Sequence, residues 1–206
     1  METLALFDST GHWDPVPMVD ADVRVMPSFY RKPDSVELMR RLADETPWRQ
    51  ETITLWGKQH LQPRLSAWYG DADSGYTYSG VVLRPLPWTA TLARIKSDVE
   101  NATACRFNSV LLNFYRDEND SVGWHSDAEP ELGKFPVIAS LSLGETRTFR
   151  LRHRSRKDQK PVAIDLTDGS LLLMAGTTQR FWQHAVMKER EPRGPRINLT
   201  FRTIVK

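Results

Sequence analysis

The sequence predicts a mainly β protein of the α+β class, a β-sandwich or jelly roll flanked by helices. Two helix-like amphipathic segments lie in the first half of the chain. From residue 108 onward, six short segments rich in β-branched and aromatic residues follow one another, separated by Gly, Asp or Lys clusters. Helices followed by a run of strands are typical of such layered folds. The chain has 206 residues and contains no repeat or linker, so we expect one domain.

The first segment, residues 1–33, is expected to be an irregular N-terminal wrap. It is interrupted by Pro15, Pro17, Pro27 and Pro33. Asp34 then opens an amphipathic stretch, and Glu37 lies three residues later. This spacing predicts a helix that begins with Asp34 as N-cap and Glu37 completing a capping box.

The middle of the chain alternates between strand-like and loop-like segments before a second helix. Residues 51–56 alternate like a strand, and Gly57 and Lys58 indicate a turn after it. Residues 62–80 are rich in aromatic, Gly, Asp and Ser residues, which predicts a loop or an edge strand. Residues 89–99 have apolar side chains at spacings of three and four, which predicts a helix.

The last hundred residues contain the predicted strands of the sandwich. Each is short, rich in β-branched and aromatic residues and bounded by turn formers. They are residues 108–115, 136–143, 146–152, 161–164, 170–174 and 197–205.

Composition excludes several classes of protein. Hydrophobic residues make up 40% of the chain and the net charge is +2, so a bulk nucleic-acid binder with a global positive field is not expected. A single cysteine, Cys105, excludes a disulfide framework and a cysteine-based metal site. No apolar run reaches the roughly 18 residues of a transmembrane helix, and the start has no secretory signal pattern. We therefore expect a cytoplasmic protein, or a nuclear one if the source is eukaryotic, with no membrane partner.

Metal chemistry in this chain must then use histidine and carboxylates. Two of the five histidines begin an H-x-D triplet, at His12 and at His125. On a strand, residues i and i+2 project to the same face and can share one metal ion. His12 lies in the irregular segment, so we interpret its triplet as a surface feature. The His125 triplet, with Asp127, follows a predicted strand and is the candidate.

A third ligand is available at His184, 59 residues after His125. Two histidines and one carboxylate leave three positions open on a metal, which suits non-haem Fe(II). Zinc with a bound water is the alternative that this spacing leaves open.

The last strand presents a row of polar side chains. Alternation places Ile197, Leu199 and Phe201 on one face and the polar set, Arg196, Asn198, Thr200 and Arg202, on the other. Two arginines can bind carboxylates bidentately, so this face can hold a dicarboxylate such as 2-oxoglutarate. A solvated polar strand face is the alternative.

Together, His125-x-Asp127, His184 and the terminal RINLTFR resemble the AlkB family of Fe(II)/2-oxoglutarate-dependent nucleic-acid dealkylases. The resemblance runs from about Leu55 to Thr203. It implies a double-stranded β-helix (jelly roll), with His125, Asp127 and His184 as Fe(II) ligands and O2 as co-substrate. The implied 2-oxoglutarate-binding residues are Asn113, Tyr115, Arg196, Asn198, Thr200 and Arg202, and Arg202 is implied as catalytic through its place near the metal.

The resemblance extends to the substrate side. Tyr76 and Tyr78 match the family's strand that stacks on the damaged base, in a nucleotide-recognition hairpin region. Trp56 resembles an apolar wedge inserted into a duplex, with Lys58 and Arg64 on phosphate or the opposite strand. The residue after the ligand Asp is Ala128, where repair branches place an acidic residue, so Glu129 is expected to contact the exocyclic amino group.

The implied organisation is an N-terminal extension and helix (1–50), a nucleotide-recognition region (51–85) and a catalytic core (106–206) in one domain, expected as a monomer. The implied activity is oxidative removal of N-alkyl groups from bases such as 1-methyladenine and 3-methylcytosine, with release of formaldehyde. The sequence does not distinguish DNA from RNA or single strands from double strands as the substrate. The alternatives are an oxygenase of RNA, protein or a small metabolite, and a jelly-roll binding module without activity.

Overall fold

The computed structural model describes residues 11–55, 58–78 and 81–205, and for 53–55, 58, 76–78 and 81–83 it describes the backbone. Fifteen strands and three α-helices are present within these ranges. The strands are β1 (Asp14–Pro15), β2 (Asp22–Met26), β3 (Thr52–Leu55), β4 (Lys58–Leu61), β5 (Leu65–Gly70), β6 (Tyr76–Tyr78), β7 (Val81–Leu83), β8 (Ser109–Tyr115), β9 (Val122–His125), β10 (Ile138–Gly144), β11 (Arg147–His153), β12 (Val162–Leu166), β13 (Leu171–Ala175), β14 (Trp182–Val186) and β15 (Arg196–Arg202). The helices are α1 (Lys32–Glu45), α2 (Ala90–Thr103) and the short α3 (Thr178–Phe181).

Two antiparallel sheets form the body of the fold. The larger has seven strands in the order β1-β2-β13-β10-β15-β8-β5, and the smaller has four in the order β12-β11-β14-β9. Two hairpins, β3–β4 and β6–β7, form separate two-stranded sheets. This arrangement confirms the predicted jelly roll. None of the helices in the described ranges has the length and apolarity to cross a membrane.

Strand alternation in the larger sheet divides the interior into two apolar clusters. Leu112, Leu141 and Leu199 share one cluster with Leu42 of α1 and Ile95 of α2, so this face of the sheet is covered by the helices. The opposite face packs against the smaller sheet, and the second cluster contains residues of both sheets, Ile138, Leu172, Phe149, Leu151 and Trp182. The polar pocket described below opens between these two sheets.

The two long helices begin differently. The capping box predicted at Asp34 is wrong, because α1 already begins at Lys32 with Arg31 as N-cap and Pro33 in its first turn. Proline is favoured there because its missing N–H has no helical partner in the first turn. The second helix begins as predicted, with the Thr89 side chain accepting from the backbone N–H of Leu92, and continues to Thr103.

Several strands were not predicted from the sequence. The N-terminal segment expected to be irregular contains β2, which pairs with β13 and extends the large sheet. The polar segment before His125 contains β9. The segment 62–80, for which the sequence predicted a loop or an edge strand, contains the edge strand β5. These strands are completed by pairing with distant segments rather than by their own hydrophobic pattern.

Candidate metal centre and active site

Three side chains converge between the sheets on ligand atoms suited to one metal ion. His125 ends β9 and His184 lies in β14, directly opposite in the antiparallel register. Asp127 follows two residues after His125, beyond the end of the strand. The three ligand atoms lie within 4.8 Å of one another, and His184 Nε2 is 3.9 Å from Asp127 Oδ2. The two predicted histidines and the predicted carboxylate are therefore brought together.

Neighbouring groups fix the orientation of these ligands. His125 Nδ1 lies 2.8 Å from the carbonyl oxygen of Gly123, which favours a proton on Nδ1 and leaves Nε2 free for a metal. The backbone N–H of Asp127 donates to Gln179 Oε1 at 3.0 Å. Arg202 Nη2 donates to Asp127 Oδ1 at 2.8 Å, so Oδ2 is the oxygen that faces His184. Since Asp127 is past the strand, these contacts, not strand alternation, place it beside His125.

Electrostatics give these groups the protonation states of metal ligands. Burial, together with the neighbouring His125, lowers the pKa of His184 to about 3, so its ring is neutral at physiological pH. Burial opposes ionisation of Asp127, but the Arg202 guanidinium and the two imidazoles hold the pKa of the carboxyl below its usual value. A neutral imidazole and an ionised carboxylate are the forms that bind a divalent cation.

A pocket lined by charged, polar and apolar side chains adjoins the three ligands. Arg196 lies at its wall and is 1% exposed. Arg196 Nη2 donates to Ser142 Oγ at 2.9 Å and the guanidinium lies beside the Tyr115 side chain, whereas Nε and Nη1 have no hydrogen-bond partner within the described ranges. Burial lowers the pKa of Arg196 to about 10, so the group is still cationic at neutral pH. Because an unpaired buried donor is costly, these two N–H groups fit a carboxylate of a ligand such as 2-oxoglutarate.

The remaining residues implied for 2-oxoglutarate line the same pocket. Asn198 Nδ2 donates to Ser140 Oγ and to the Leu141 carbonyl, and Thr200 Oγ1 donates to Asn198 Oδ1 at 3.0 Å. Asn113 and Tyr115 face β15 from β8 in register with Asn198 and Arg196. The full implied set, Asn113, Tyr115, Arg196, Asn198, Thr200 and Arg202, lines this pocket.

The residues implied for substrate binding lie in different parts of the structure. Arg64 Nε donates to Asn113 Oδ1 at 2.7 Å and its Nη1 to the Ser121 carbonyl, and its expected contact with phosphate or the opposite strand stays a prediction. Its guanidinium therefore lies at the wall of the inner pocket, which explains why burial lowers its pKa. Glu129 is exposed and lines an adjoining groove. His12, as expected, is on the surface, 3.6 Å from Asp14.

The aromatic and basic residues of the hairpins are described less fully. Tyr76 and Tyr78 lie in β6, which pairs with β7, and Lys58 begins β4. For these three residues the backbone alone is described, and Trp56 lies outside the described residues. Their expected roles at the substrate stay predictions.

Sequence reasoning missed several side chains of the site. Ser140 and Ser142 of β10 hold Asn198 and Arg196, and Gln179 of α3 holds the Asp127 backbone. Phe149 stacks on His184 at a ring-centroid distance of 5.1 Å. The alternation in IASLSLG, with both serines on one face of a buried strand, is the signal that predicts the first two. Gln179 has no local signal, because its partner is 52 residues away.

Comparison with known proteins defines the class to which this site belongs. Residues 22–202 match the family model of the 2OG-Fe(II) oxygenase superfamily. A solved structure of OsALKBH1 superposes with a TM-score of 0.64 at 20% identity, covering 92% of this chain and 100% of that chain, and this likeness shows the fold. The superfamily match and the converging ligands assign Fe(II) and 2-oxoglutarate as the cofactor and co-substrate.

Curated relatives give the family within that class. The mouse alpha-ketoglutarate-dependent dioxygenase alkB homolog 3 is 45% identical over 88% of this chain and 66% of its own length. The human DNA oxidative demethylase ALKBH2 is 37% identical over 86% of this chain and 71% of its own length. This chain therefore belongs to the AlkB family of the 2OG-Fe(II) oxygenase superfamily. It spans slightly less than two thirds of the length of the mouse alkB homolog 3.

Proposed function

We propose that this protein is an Fe(II)- and 2-oxoglutarate-dependent oxygenase that removes N-alkyl groups from bases of nucleic acid. The observation that carries the proposal is one continuous site: three converging metal ligands open onto a pocket in which Arg196 has two unpaired buried donors. A metal site alone would also suit a zinc hydrolase. The adjoining pocket favours a 2-oxoglutarate oxygenase, because its buried unpaired donors fit a co-substrate that carries a second carboxylate.

Each residue of the site has a defined task in this proposal. His125, Asp127 and His184 hold the metal, and Arg196 binds the far carboxylate of 2-oxoglutarate with Tyr115 and Asn113 beside it. Arg202 holds Asp127 in its ligating orientation through their 2.8 Å hydrogen bond. Bound Fe(II), with 2-oxoglutarate and O2, supplies the oxidation of the substrate's C–H bond. The balance is an N-methyl group, O2 and 2-oxoglutarate giving the N–H base, formaldehyde, succinate and CO2.

The groove beside this pocket supports a nucleic-acid base as the substrate. It shares Arg64, Asn113 and Arg202 with the inner pocket, and Trp68 and Glu129 also line it. A base must leave its stack to reach such a site, and aromatic surface favours the flipped ring. The Glu129 carboxylate at the groove favours cationic bases such as 1-methyladenine and 3-methylcytosine. One relative is named a DNA oxidative demethylase, which supports DNA, and RNA is an outcome of the test.

The hairpin residues complete the proposal from the sequence. Tyr76 and Tyr78 are proposed to stack on the flipped base. Trp56 is proposed to fill the gap that the base leaves in a duplex, and Lys58 to contact phosphate. Inserted side chains of this kind offset an unstacking cost of about a few kcal/mol.

Formaldehyde and succinate release tests the function. The protein is supplied with Fe(II), 2-oxoglutarate and oligonucleotides containing 3-methylcytosine, as DNA and RNA and as single strands and duplexes. We expect both products in equal amounts, and the unmethylated oligonucleotides are the controls. If Trp56 acts as a wedge, Trp56→Ala lowers the duplex rate and leaves the single-strand rate unchanged.

Other outcomes separate the alternatives. Succinate without formaldehyde indicates an oxygenase of another substrate, such as a protein or a small metabolite. Neither product, from protein with metal bound, contradicts the proposed activity and favours a binding module. The compartment and the monomeric state stay predictions, and size-exclusion chromatography with light scattering tests the latter.

A further inference from the structure

Arg147, which begins β11, is a fully buried arginine that belongs to no part of the mechanism above. Its side chain is 0% exposed, and its guanidinium donates to three backbone carbonyls and one carboxylate. The acceptors are the carbonyls of Asp117, Asp120 and Met187, and Glu189 Oε1. One side chain thus ties the loop after β8 to the segment after β14.

These two segments lead to both halves of the candidate site. The loop follows Tyr115 at the end of β8, and the segment after β14 leads from His184 towards Arg196. The guanidinium carbon of Arg147 is 5.6 Å from the centroid of the Tyr115 ring, and that of Arg196 is 5.2 Å from the same centroid. Tyr115 and Arg196 are also directly opposite in the pairing of β8 with β15. Arg147 is therefore one aromatic ring away from the arginine with unpaired donors.

We propose that Arg147 is a positioning residue for the far-carboxylate end of the 2-oxoglutarate pocket, acting through the Tyr115 ring and the two segments that it ties. This inference rests on the proposed function, which assigns Arg196 to that carboxylate. Tyr115 and Arg196 line the pocket, whereas Arg147 lies behind the Tyr115 ring and is not among the lining residues. Its effect is to hold the ring against which the Arg196 guanidinium lies.

The geometry requires arginine rather than any cation at this position. The planar fork uses Nε, Nη1 and Nη2 to reach acceptors in different directions while its face lies near the Tyr115 ring. A lysine keeps the charge but presents a compact ammonium, which cannot reach the same four acceptors. Arg147→Lys therefore keeps the local charge and loosens the Tyr115 ring.

Comparing two keto acids separates weaker binding of the far carboxylate from weaker binding of the whole ligand. 2-Oxovalerate has the same five carbons and the same metal-binding end as 2-oxoglutarate but no second carboxylate. Dissociation constants of both are measured by calorimetry on protein loaded with Ni(II), which does not turn over. For Arg147→Lys we expect an increase of about tenfold in the constant for 2-oxoglutarate, equivalent to about 1.4 kcal/mol, and an unchanged constant for 2-oxovalerate.

Arg193→Lys is the matched control, because Arg193 Nε pairs with the same Glu189 carboxylate but its side chain is 37% exposed. We expect both constants to stay within twofold of the wild-type values. If the affinity for 2-oxoglutarate falls equally in Arg147→Lys and in the control, the positioning role is overturned. The same holds if Arg147→Lys weakens the binding of both keto acids equally, which would leave a general structural role.

A second variant decides the outcome if Arg147→Lys does not fold. Glu189→Ala removes the one carboxylate that Arg147 binds, at a side chain that is 19% exposed. We expect a smaller increase, about threefold, again for 2-oxoglutarate alone. An unchanged ratio of the two constants in this variant overturns the proposal. Wild-type protein that does not discriminate between the keto acids contradicts the proposed function itself, which distinguishes the two failures.

Discussion

Buried arginines of this protein differ in how their hydrogen-bond donors are satisfied. Arg147 meets four protein acceptors, whereas Arg196 donates to Ser142 Oγ and lies beside the Tyr115 side chain, and its Nε and Nη1 have no hydrogen-bond partner among the described residues. Arg202 likewise pairs through Nη2 with Asp127 while its Nε is unpaired. Because buried donors are almost always paired, the unpaired ones at a pocket indicate the missing acceptor, an anionic ligand.

Asp127 is the carboxylate among the three expected metal ligands. Asp127→Ala removes the carboxylate that faces His184 and leaves two imidazoles, so we expect divalent metal affinity to fall at least roughly a hundredfold and turnover to be lost. Calorimetry with Ni(II) measures the affinity, succinate release measures turnover, and circular dichroism checks the fold. Asp165→Ala, at an exposed carboxylate that binds Thr148, is the control and should keep both. Full turnover in Asp127→Ala would remove Asp127 from the ligand set.

At the scale of elements, the end of α2 is tied to the start of β8 by one buried acid. Glu100 accepts from the backbone N–H of Phe107 and from Arg106 Nη1, both at 2.8 Å, and lies 3.7 Å from Lys96 Nζ. Burial opposes its ionisation, but these three groups lower the pKa of Glu100 below its ordinary value of 4.5. The charged carboxylate therefore stabilises the junction between the helix layer and the large sheet.

The pH dependence of this contribution follows from the direction of the shift. Since the folded-state pKa is below the unfolded one, the stabilisation is present above about pH 4.5 and is lost as the pH falls through the folded value. Glu100→Gln should lower the free energy of unfolding at pH 7 by about 1–2 kcal/mol. The difference from wild type should shrink below pH 4.5. Urea unfolding of both proteins at several pH values measures this, and a pH-independent difference would contradict it.

At the scale of the whole molecule, the site joins the two sheets. His125 and His184 belong to the smaller sheet, whereas Arg196 and Asn198 belong to the larger. A metal ion held by the histidines and 2-oxoglutarate held by the proposed pocket residues would bridge the jelly roll, so their binding free energy would add to the stability of the folded state.

Ligand-dependent melting tests this bridging. Ni(II) at about a hundred times its dissociation constant should add about 2.7 kcal/mol and raise the Tm by roughly 5–10 °C, and 2-oxoglutarate at the same excess should add about as much again. Differential scanning fluorimetry measures the rise, and excess EDTA should reverse it. A Tm that does not respond to either ligand would mean that the pocket does not bind them in the folded protein.

The sequence by itself determined the strands that carry their own alternation and the residues of the site that lie on them. In β15, apolar and polar positions alternate so regularly that Asn198 and Thr200 could be assigned to one polar face without a structure, whereas Asn113 of β8 was implied only by the family resemblance. The His125, Asp127 and His184 motif likewise needed only spacing and the family resemblance. The polar face of β15 is a local feature, because side-chain direction in a strand follows from backbone geometry alone.

The tertiary structure alone decided the features that depend on distant partners. Strand β9 forms from a polar segment because it pairs with β14, and Asp127 is fixed by Gln179 and Arg202, which are 52 and 75 residues away. Arg64 reaches the wall of the inner pocket because its acceptor, Asn113, is on the neighbouring strand, and its expected contact with phosphate or the opposite strand stays a prediction. Pairing and hydrogen bonding between distant segments are set by how the sheets assemble, and no local pattern encodes them.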